Sequence, residues 1–465
     1  MNGAIRRVNA IVRLAFVTIA FALPVAVSAQ SMEKATDAVK AMRVGWNLGN
    51  TLDCHSSDTT NMWIEAWTQR RPSDYETAWG QAQTTQALMT MMHDAGFNAI
   101  RVPVTWYPHL KSSWKLSKNS QGNPTVWSPT ADPLGTEIDK QWMARVKQVV
   151  DYVLSTGMYC ILNVHHDTGA DNTAWLRANG STFAAENARY AAVWKQIAEE
   201  FKDYGDHLLF EGYNEMLDGY SSWCFASFAA PGQYNATSAA DTYAAINDYA
   251  QTFVNTIRAT GGNNAQRNLV VNTYGSCDGR GSWNSHLKDP LSNMKLPTDA
   301  ADGHLIFEVH SYPDVSNPSN ARNEVDAEFN SLDQLLASKG APVIIGEWGS
   351  SDLQAYSKTK QNLLDFAKYF VGKAKEHGFA TFYWMGISDG NDRAVPQFTQ
   401  ADLKDKIMEG YYGDGGYTSG ITPPQVSPAS ASSASPAVYN LMGQRLTGTP
   451  SHGIYIINSR KVVIK

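Results

Sequence analysis

The sequence has few of the residues that would indicate a metal-binding, disulfide-stabilised or nucleic-acid-binding protein. Only four of its 465 residues are cysteines, Cys54, Cys160, Cys224 and Cys277, and their spacing matches no zinc motif. Cys160 lies in the apolar run YCILNV and is interpreted as buried, whereas a disulfide among the other three stays open. The net charge of −6 and the pI near 6.0 leave no basic field for nucleic acid or anionic lipid.

The sequence also offers little that would anchor it in a membrane. Its N-terminal apolar stretch, LAFVTIAFALPVAV, is short, contains a proline and has no stop-transfer flank. Three arginines precede this stretch, and VSAQ supplies small residues for cleavage after Ala29. This order predicts a signal peptide over residues 1–29. The absence of a cysteine near the cleavage site argues against a lipoprotein. We therefore expect a protein that is secreted or displayed at the cell surface, without membrane insertion.

Aromatic and apolar residues, by contrast, are plentiful. Fourteen tryptophans and 21 tyrosines accompany a hydrophobic content of 43%. This composition suffices for a large core, in one big domain with appendages or in two ordinary domains. Most aromatic side chains are expected in that core. The other common use is a carbohydrate-binding cleft, because an indole ring packs on the apolar face of a sugar.

Eight short apolar runs predict the strands of one sheet. They are apolar nearly throughout rather than alternating, as expected for parallel strands that are covered on both faces. Amphipathic stretches that end at a glycine, such as Gly96 and Gly157, separate most of the runs and predict helices. The runs occupy residues 44–50, 98–106, 159–167, 207–215, 268–275, 304–313, 342–349 and 380–386.

This alternation of strand and helix predicts an α/β fold of the (β/α)8 TIM-barrel type. The segment 276–303 has little clear helix and is the weakest part of the repeat. An open, doubly wound sheet is the alternative, but no glycine-rich phosphate loop follows the first strand. We expect the barrel to occupy residues 30–415.

Polar residues stand at the predicted C-terminal ends of the strands, where barrel enzymes have their active sites. Any one of them alone is expected to be a satisfied structural group. Their convergence from several strands on one face, however, indicates a functional site. The candidates are Arg101, His165, His166, Asn214, Glu215, His310, Tyr312, Glu347 and Trp384.

Two of these candidates, Glu215 and Glu347, are carboxylates that are expected to face the same barrel mouth. Such a pair suits glycoside hydrolysis, in which one carboxyl group protonates the leaving oxygen and the other attacks or activates water. We expect a raised pKa for Glu215, and for Glu347 a pKa lowered by hydrogen bonds from Arg101 and Tyr312. No metal and no cofactor are expected.

Several motifs resemble those of family-5 glycoside hydrolases, the large cellulase family of (β/α)8 barrels. They are NEM, HSY, GEW, RVPVTW, NVHHD and YWMG. The opening GWNLGNTLD and the later ETAWGQAQTT are similar to the branch that contains endoglucanases, xyloglucanases and mixed-linkage glucanases. The resemblance extends from about residue 32 to 412 and includes all eight predicted strands.

The resemblance implies roles for the candidates nearest to the reacting bond. Glu215 would be the acid/base, and Glu347 would be the nucleophile of a retaining double displacement. Asn214 would hold the sugar 2-hydroxyl. Arg101 and Tyr312 would orient and ionise Glu347.

The remaining candidates are implied as contacts around the reacting sugar. His310 would lie beside the acid/base, His165 would bind sugar hydroxyls, and Trp384 would be a stacking platform. His166 follows the paired-histidine pattern of the branch. A metal site at the two adjacent histidines is disfavoured, because neighbouring residues on a strand point to opposite faces.

Together these roles imply a retaining endo-β-1,4-glucanase that acts on cellulose or mixed-linkage β-glucan. We expect the protein to be a monomer. The same machinery directed at xyloglucan, mannan or xylan is one alternative. A non-catalytic glycan-binding barrel is another, and the presence of both Glu215 and Glu347 argues against it.

The composition changes near residue 413. Residues 416–437 are rich in proline, serine and alanine and are predicted to form a linker. Residues 438–465 show a strand–turn–strand pattern that is too short to fold stably alone. Their GIYII and KVVIK segments resemble the end of the C-terminal sorting domains that Bacteroidetes use for outer-membrane secretion, and the alternative is the remnant of a β-rich accessory module.

Overall fold

The computed structural model describes residues 32–417, apart from short gaps, and four strands near the C terminus. The chain divides into two compact units, Met1–Tyr417 and Thr418–Lys465. The predicted signal peptide and most of the predicted linker lie outside the described residues. Within the first unit the gaps are residues 59–61, 69–70, 112–113, 119, 122–123, 130–134, 223–234, 280–286 and 288.

Eight parallel strands of the first unit close into a barrel, which confirms the predicted (β/α)8 fold. The strands of this unit are β1 Val44–Asn47, β2 Ala99–Val102, β3 Trp114–Lys118, β4 Pro124–Pro129, β5 Tyr159–Asn163, β6 Leu208–Glu211, β7 Leu269–Asn272, β8 Leu305–Ser311, β9 Val343–Trp348 and β10 Ala380–Tyr383. Around the barrel the order is β1-β10-β9-β8-β7-β6-β5-β2, whereas β3 and β4 form a separate antiparallel hairpin.

Helices precede and separate the barrel strands. They are α1 Ala35–Met42, α2 Trp63–Thr68, α3 Pro72–Thr77, α4 Gln86–Asp94, α5 Lys140–Leu154, α6 Gly180–Glu200, α7 Ala236–Ala259, α8 Pro290–Asn293, α9 Pro318–Leu335, α10 Ala355–Lys358, α11 Lys360–His377 and α12 Ala401–Tyr412. In the segment 276–303, whose helix is the weakest prediction, the described α-helix is the four-residue α8.

Local chemistry explains where the helices begin and end. The Asp139 side chain accepts hydrogen bonds from the backbone N–H groups of Gln141 and Trp142 and thereby caps the start of α5. At the other end, α11 stops at Gly378, whose left-handed φ of 76° suits a residue without a Cβ atom. The predicted glycine stop is therefore confirmed at this helix.

The barrel interior has an apolar lower half, at the N-terminal ends of the strands. Alternate residues of a barrel strand point inwards. In the lower half these side chains form a buried cluster of their own: Ala99, Tyr159, Ile161, Leu209, Val270, Ile306, Ile344, Ala380 and Phe382. Helix α1 packs Ala35, Ala38, Val39 and Met42 against this cluster and closes the lower end of the barrel.

The outward-facing side chains of the strands pack against the helices in a second, larger core. Phe210 of β6, for example, lies 5.6 Å from Trp194 of α6 and 6.3 Å from Phe201, measured between ring centroids. Burying one such side chain stabilises the fold by about 1.5–3 kcal/mol. Burial on both faces explains why the strand sequences are apolar nearly throughout.

Several strands end earlier than predicted. Strand β5 ends at Asn163 and β6 ends at Glu211, four residues before the ends of the predicted runs. Just beyond the end of β2, the Val104 N–H donates to Oδ1 of the Asn163 side chain at 3.1 Å, so a side chain of β5 takes the place of a backbone acceptor there. The boundaries are wrong because apolar composition reports burial rather than strand pairing. Glu215 therefore lies on a loop above the barrel.

The cysteines follow the prediction where the structure describes them. Cys160 is a buried free thiol on β5, as interpreted, and Cys54 is also buried and free. Cys277 is disulfide-bonded. Cys224 lies outside the described residues.

The second unit contains four short antiparallel strands in the order β12-β11-β13-β14. They are β11 Val438–Tyr439, β12 Arg445–Leu446, β13 Gly453–Ile457 and β14 Arg460–Ile464. The GIYII segment forms β13, and most of KVVIK lies in β14. Across the described parts of both units, no helix has the length and hydrophobicity needed to cross a bilayer.

Candidate active site

The upper half of the barrel interior, at the C-terminal ends of the strands, is polar. Its side chains are fully buried and bond mainly to one another. They are Asn47 of β1, Arg101 of β2, Asn163 of β5, Glu211 of β6, Asn272 of β7 and Glu308 of β8. Buried polar groups are costly unless they are paired, so a buried polar layer indicates a functional role rather than a contribution to stability.

Arg101 is the centre of this polar layer. Its Nε and Nη2 atoms donate to the two carboxylate oxygens of Glu211 at 2.6 and 2.7 Å. Nη1 donates to Glu347 Oε1 at 2.7 Å and to Asn47 Oδ1 at 3.0 Å. Nη2 also donates to Asn214 Oδ1 at 2.7 Å. The buried guanidinium thus connects two predicted residues of the mouth to the barrel interior.

The two predicted carboxyl groups lie close together above this layer. One oxygen of Glu215 and one of Glu347 lie within 4.8 Å of each other. His310 lies beside both, with Nδ1 2.9 Å from Glu215 Oε1 and 3.5 Å from Glu347 Oε2. The Tyr312 hydroxyl donates to Glu347 Oε2 at 2.7 Å. An approach this close between Glu215 and Glu347 leaves little room for the water that lies between the two carboxyl groups of inverting glycosidases, about 6.5–9.5 Å apart, and it fits the pair of retaining ones, about 5–5.5 Å apart.

The expected lowering of the Glu347 pKa is wrong. Burial raises the pKa of Glu347 to about 7, although the charge of Arg101 and the hydrogen bonds from Tyr312 and Arg101 lower it. Its side chain is only 6% exposed, so the loss of hydration outweighs the donors. The donors are visible in the sequence, whereas the depth at which the barrel holds the carboxylate is not.

The expected raised pKa of Glu215 is confirmed. Burial raises it well above the usual value, the negative charge of Glu347 raises it further, and Arg101 lowers it. Arg101 and Tyr312 donate hydrogen bonds directly to Glu347. As pH rises, Glu347 therefore loses its proton first and Glu215 keeps its own.

His165 and Trp384 complete the inner part of the mouth. Their rings are nearly parallel, with planes 6° apart and centroids separated by 5.8 Å. His165 Nε2 lies 4.0 Å from Glu347 Oε1. Trp384 lies close over Gly49, where a Cβ atom would be 2.9 Å from the indole ring. A larger residue at position 49 would displace this predicted stacking surface.

His166 lies farther from the carboxyl pair, in an aromatic group that also contains His55 and Trp79. The His166 and His55 rings stack with centroids 4.4 Å apart. Trp79 meets both rings edge-on, at 5.2 Å from His55 and 5.6 Å from His166. On α2, Trp63 and Trp67 are 46% and 57% exposed.

The argument that His165 and His166 point to opposite faces is wrong. Both residues follow the end of β5, where strand alternation no longer applies, and their ring centroids are 4.5 Å apart. One ligand atom each of Asp53, His165 and His166 lies within 4.8 Å of the others. Burial lowers the pKa of both imidazoles, which leaves them neutral at pH 7. The expectation that no metal is needed stays a prediction.

Glu211 and Glu308 belong to the polar layer but were not predicted. The available signal was a glutamate inside an otherwise apolar run, in LLFE and in LIFEVH. Glu308 precedes His310 by two residues and therefore shares its face of the strand. This spacing alone places the acidic side chain of Glu308 directly below His310.

Comparisons with known proteins agree with this geometry. The profile of Cellulase (glycosyl hydrolase family 5) matches residues 55–390. A solved broad-specificity endoglucanase, GH5-4, from an uncultured bacterium is 47% identical, with a TM-score of 0.71, covering 83% of this chain and 97% of that one. A family 5 enzyme from Prevotella bryantii, solved with a xyloglucan tetradecasaccharide, is 39% identical, with a TM-score of 0.67, covering 82% and 99%.

Among curated relatives, Endoglucanase B of Neocallimastix patriciarum is 33% identical over 358 residues, which are 75% of this chain. The chain spans 64% of the length of that relative. The family profile includes every candidate residue from Arg101 to Trp384. The chain therefore belongs to glycosyl hydrolase family 5, the cellulase family.

Proposed function

We propose that this protein is a retaining endo-β-1,4-glucanase that hydrolyses internal bonds of cellulose and mixed-linkage β-glucan. The observation that carries the proposal is the carboxyl pair Glu215 and Glu347, whose oxygens lie within 4.8 Å of each other at the barrel mouth. Membership of the cellulase family and similarity to named endoglucanases support a β-glucan as the substrate.

In the first step, the Glu347 carboxylate attacks the anomeric carbon while Glu215 gives its proton to the departing glycosidic oxygen. The order of the two pKa values supports this division of roles. Arg101 and Tyr312 donate to different oxygens of Glu347 and so fix the orientation of its carboxylate plane. Arg101 also occupies Asn214 Oδ1, which leaves the Nδ2 group as the part of that amide proposed to bind the sugar 2-hydroxyl.

In the second step, Glu215 is a carboxylate and accepts a proton from water. The resulting hydroxide attacks the anomeric carbon and breaks the ester bond to Glu347. Arg101 and Tyr312 then stabilise Glu347 as it leaves as a carboxylate. Two displacements return the anomeric carbon to its original β configuration.

The residues around the carboxyl pair suit a sugar chain rather than a single small molecule. His165 is a neutral imidazole at pH 7 and is proposed to bind sugar hydroxyls, and the nearby Trp384 indole offers a stacking surface. The exposed rings of Trp63 and Trp67 offer further apolar surface in the long connection after β1. These features favour a groove that binds a polymer along its length.

The protein is also proposed to be an exported monomer. The basic, apolar and small-residue order of residues 1–29 supports export through a signal peptide. The GIYII and KVVIK segments support secretion or display through a C-terminal signal.

The test of the mechanism is the stereochemistry of the first product. NMR spectra recorded during hydrolysis of a cello-oligosaccharide should show the β-anomer first, before mutarotation. Initial formation of the α-anomer would contradict the proposed retention. Glu215→Ala with azide and a dinitrophenyl β-cellobioside offers a second test: the activated leaving group departs without a proton, azide needs no general base, and the product should be a β-glycosyl azide.

The test of endo action compares viscosity with reducing ends on carboxymethylcellulose and mixed-linkage glucan. Viscosity should fall much faster than reducing ends accumulate, because internal cuts shorten the polymer most. Xyloglucan and mannan in the same panel define the range of polymers. A rapid rise of reducing sugar with one short product would contradict endo action.

A further inference from the structure

Glu308 is a buried acidic residue that the proposed reaction does not use. It lies on β8, and its Oε1 atom is 3.2 Å from Arg101 Nε and 3.3 Å from His310 Nε2. No N–H or O–H group of the described residues donates to its Oε2 atom. A Cβ atom at position 346 would lie 1.6 Å from Glu308 Oε1, so Gly346 provides the space for this carboxyl group.

The charges around Glu308 favour its neutral form. Arg101 is within ion-pair distance of three carboxyl groups, those of Glu211, Glu308 and Glu347. Burial raises the pKa of Glu308 well above its usual value, the charge of Glu211 raises it further, and Arg101 lowers it. A hydrogen bond between the Glu211 and Glu308 carboxyls also raises it, because that bond requires a proton.

A neutral Glu308 determines which nitrogen of His310 carries the proton. If the Glu308 proton is donated to Glu211, its Oε1 atom is a carbonyl oxygen that can only accept. Burial and the charge of Arg101 lower the pKa of His310, so its ring has one N–H group. That proton belongs on Nε2, which faces Glu308 Oε1, and Nδ1 is left without one.

We propose that Glu308 is a positioning residue that holds His310 in its Nε2–H form, so that Nδ1 accepts a hydrogen bond from the Glu215 carboxylic acid. The 2.9 Å distance between His310 Nδ1 and Glu215 Oε1 fits this bond. The inference rests on the proposed function of Glu215 as the acid/base.

The arrangement serves both steps of the reaction. Before the first step, Nδ1 orients the acidic proton of Glu215 without competing for it as a cation would. Before the second step, the Glu215 carboxylate faces a lone pair rather than an N–H donor, and it therefore stays a stronger base. The opposite tautomer would place a donor on Nδ1 and favour the anion of Glu215 from the start.

The titratable and charged groups that face this pair are few. His310 is surrounded by Glu215, Glu308, Glu347, Arg101 and His165. Glu308 is surrounded by Glu211, Arg101, His310 and Glu347. The Glu308 variants that test the proposal keep all of these residues except Glu308 itself.

The test compares Glu308→Leu with Glu308→Gln. Leucine removes the acceptor for His310 Nε2, and the alkaline limb of the kcat/KM profile on a cello-oligosaccharide should move down by about one pH unit. Glutamine keeps the neutral shape, with its amide donating to Glu211 and its carbonyl accepting from His310. Its alkaline limb should therefore stay within about 0.3 unit of wild type. A shift of similar size in both variants, or in neither, would overturn the proposal.

An activated substrate separates this role from a structural defect. A dinitrophenyl β-cellobioside has a leaving group that needs no protonation. One pH unit above the wild-type alkaline limb, kcat/KM of Glu308→Leu should fall about tenfold on the oligosaccharide and less than about twofold on the activated substrate. Equal losses on both substrates would indicate a structural defect instead.

The tautomer itself is measured on the wild-type protein by 15N NMR of labelled histidine, with His310 assigned from the spectrum of His310→Asn. The proposal expects a protonated Nε2 and a bare Nδ1 at pH 7. A protonated Nδ1 would overturn it whether or not the variants fold. This measurement needs no turnover, so failure of the proposed glucanase activity would be distinguished from failure of the tautomer assignment.

Discussion

The lower and upper halves of the barrel interior are built from the same strands but contain opposite kinds of side chain. On β6, Leu209 lies in the apolar lower half and Glu211 in the polar upper half. On β8, Ile306 and Glu308 differ in the same way. A step of two residues along a strand thus leads from an apolar side chain, which stabilises the fold by its burial, to a carboxyl group, whose cost of burial must be offset by a partner or a proton.

This difference shows how the fold separates stability from chemistry. The lower half needs only to exclude water, and α1 closes it. The upper half contains more carboxyl groups than Arg101 can neutralise, so protons must balance the charge. The resulting raised pKa values are useful to a glycosidase, because one carboxyl group has to keep its proton near neutral pH.

The largest expected effect comes from Glu347→Gln in the upper half. Turnover should fall by about 10⁴-fold or more, because the amide cannot form the glycosyl ester, while oligosaccharide binding persists. Activity within about tenfold of wild type would remove Glu347 as the nucleophile.

The same variant should also gain stability, in contrast to a core substitution. The pKa of Glu347 in the folded protein, about 7, is above its usual value of 4.5, so the wild-type protein loses stability as the pH rises from about 4.5 to about 7. The glutamine variant lacks this loss and should melt at a higher temperature than wild type at pH 8. The two should melt more nearly together below pH 5, as thermal scans at both values will show.

Ile344→Ala in the lower half should have the reverse effect. Ile344 is fully buried, and truncation should cost about 2–5 kcal/mol in the free energy of unfolding while kcat stays within about threefold. Urea denaturation measures the first quantity. Leu353→Ala, at a position 95% exposed, is the matched control and should change neither. A large loss of kcat in folded Ile344→Ala would mean that the two halves are not separable.

Tyr312→Phe should have a smaller effect, most visible in the pH dependence. The Tyr312 hydrogen bond lowers the pKa of Glu347, so its removal should raise that pKa and move the acidic limb of kcat/KM to higher pH by up to about one unit. Tyr220→Phe, at an exposed position, serves as the control. An acidic limb that stays in place would show that Arg101 alone sets the ionisation of Glu347.

The smallest expected effect is that of metal removal. Prolonged EDTA treatment should leave the rate unchanged, because the proposed steps use only protein groups and water. The group formed by Asp53, His165 and His166 makes this test informative. Loss of activity that one particular metal restores, and that His166→Ala reproduces without EDTA, would assign that group a role.

The sequence was sufficient to predict the barrel and the identity of its mouth residues, for physical reasons. Burial on both faces leaves continuous apolar runs, and any polar residue at their ends stands out. The pKa of Glu347 was mispredicted because the sequence does not show how deeply the carboxylate is buried, and the proximity of His165 to His166 was mispredicted because strand β5 ends before them, at Asn163. Glu308 was overlooked because one acidic residue within an apolar run gives no sign of the partner that neutralises it.

The closing of the lower half by α1 has a consequence for how the chain folds. Helix α1 lies at the start of the first unit, yet the cluster it covers includes Ala380 and Phe382 of the last barrel strand. Among the described helices α1 is the first to be synthesised, and it has no complete docking surface until the last strand has paired. Contacts this distant in sequence make closure slow, and the apolar face of α1 stays exposed meanwhile. The proposed export would place that interval after translocation, when α1 still waits for its last partners on the barrel.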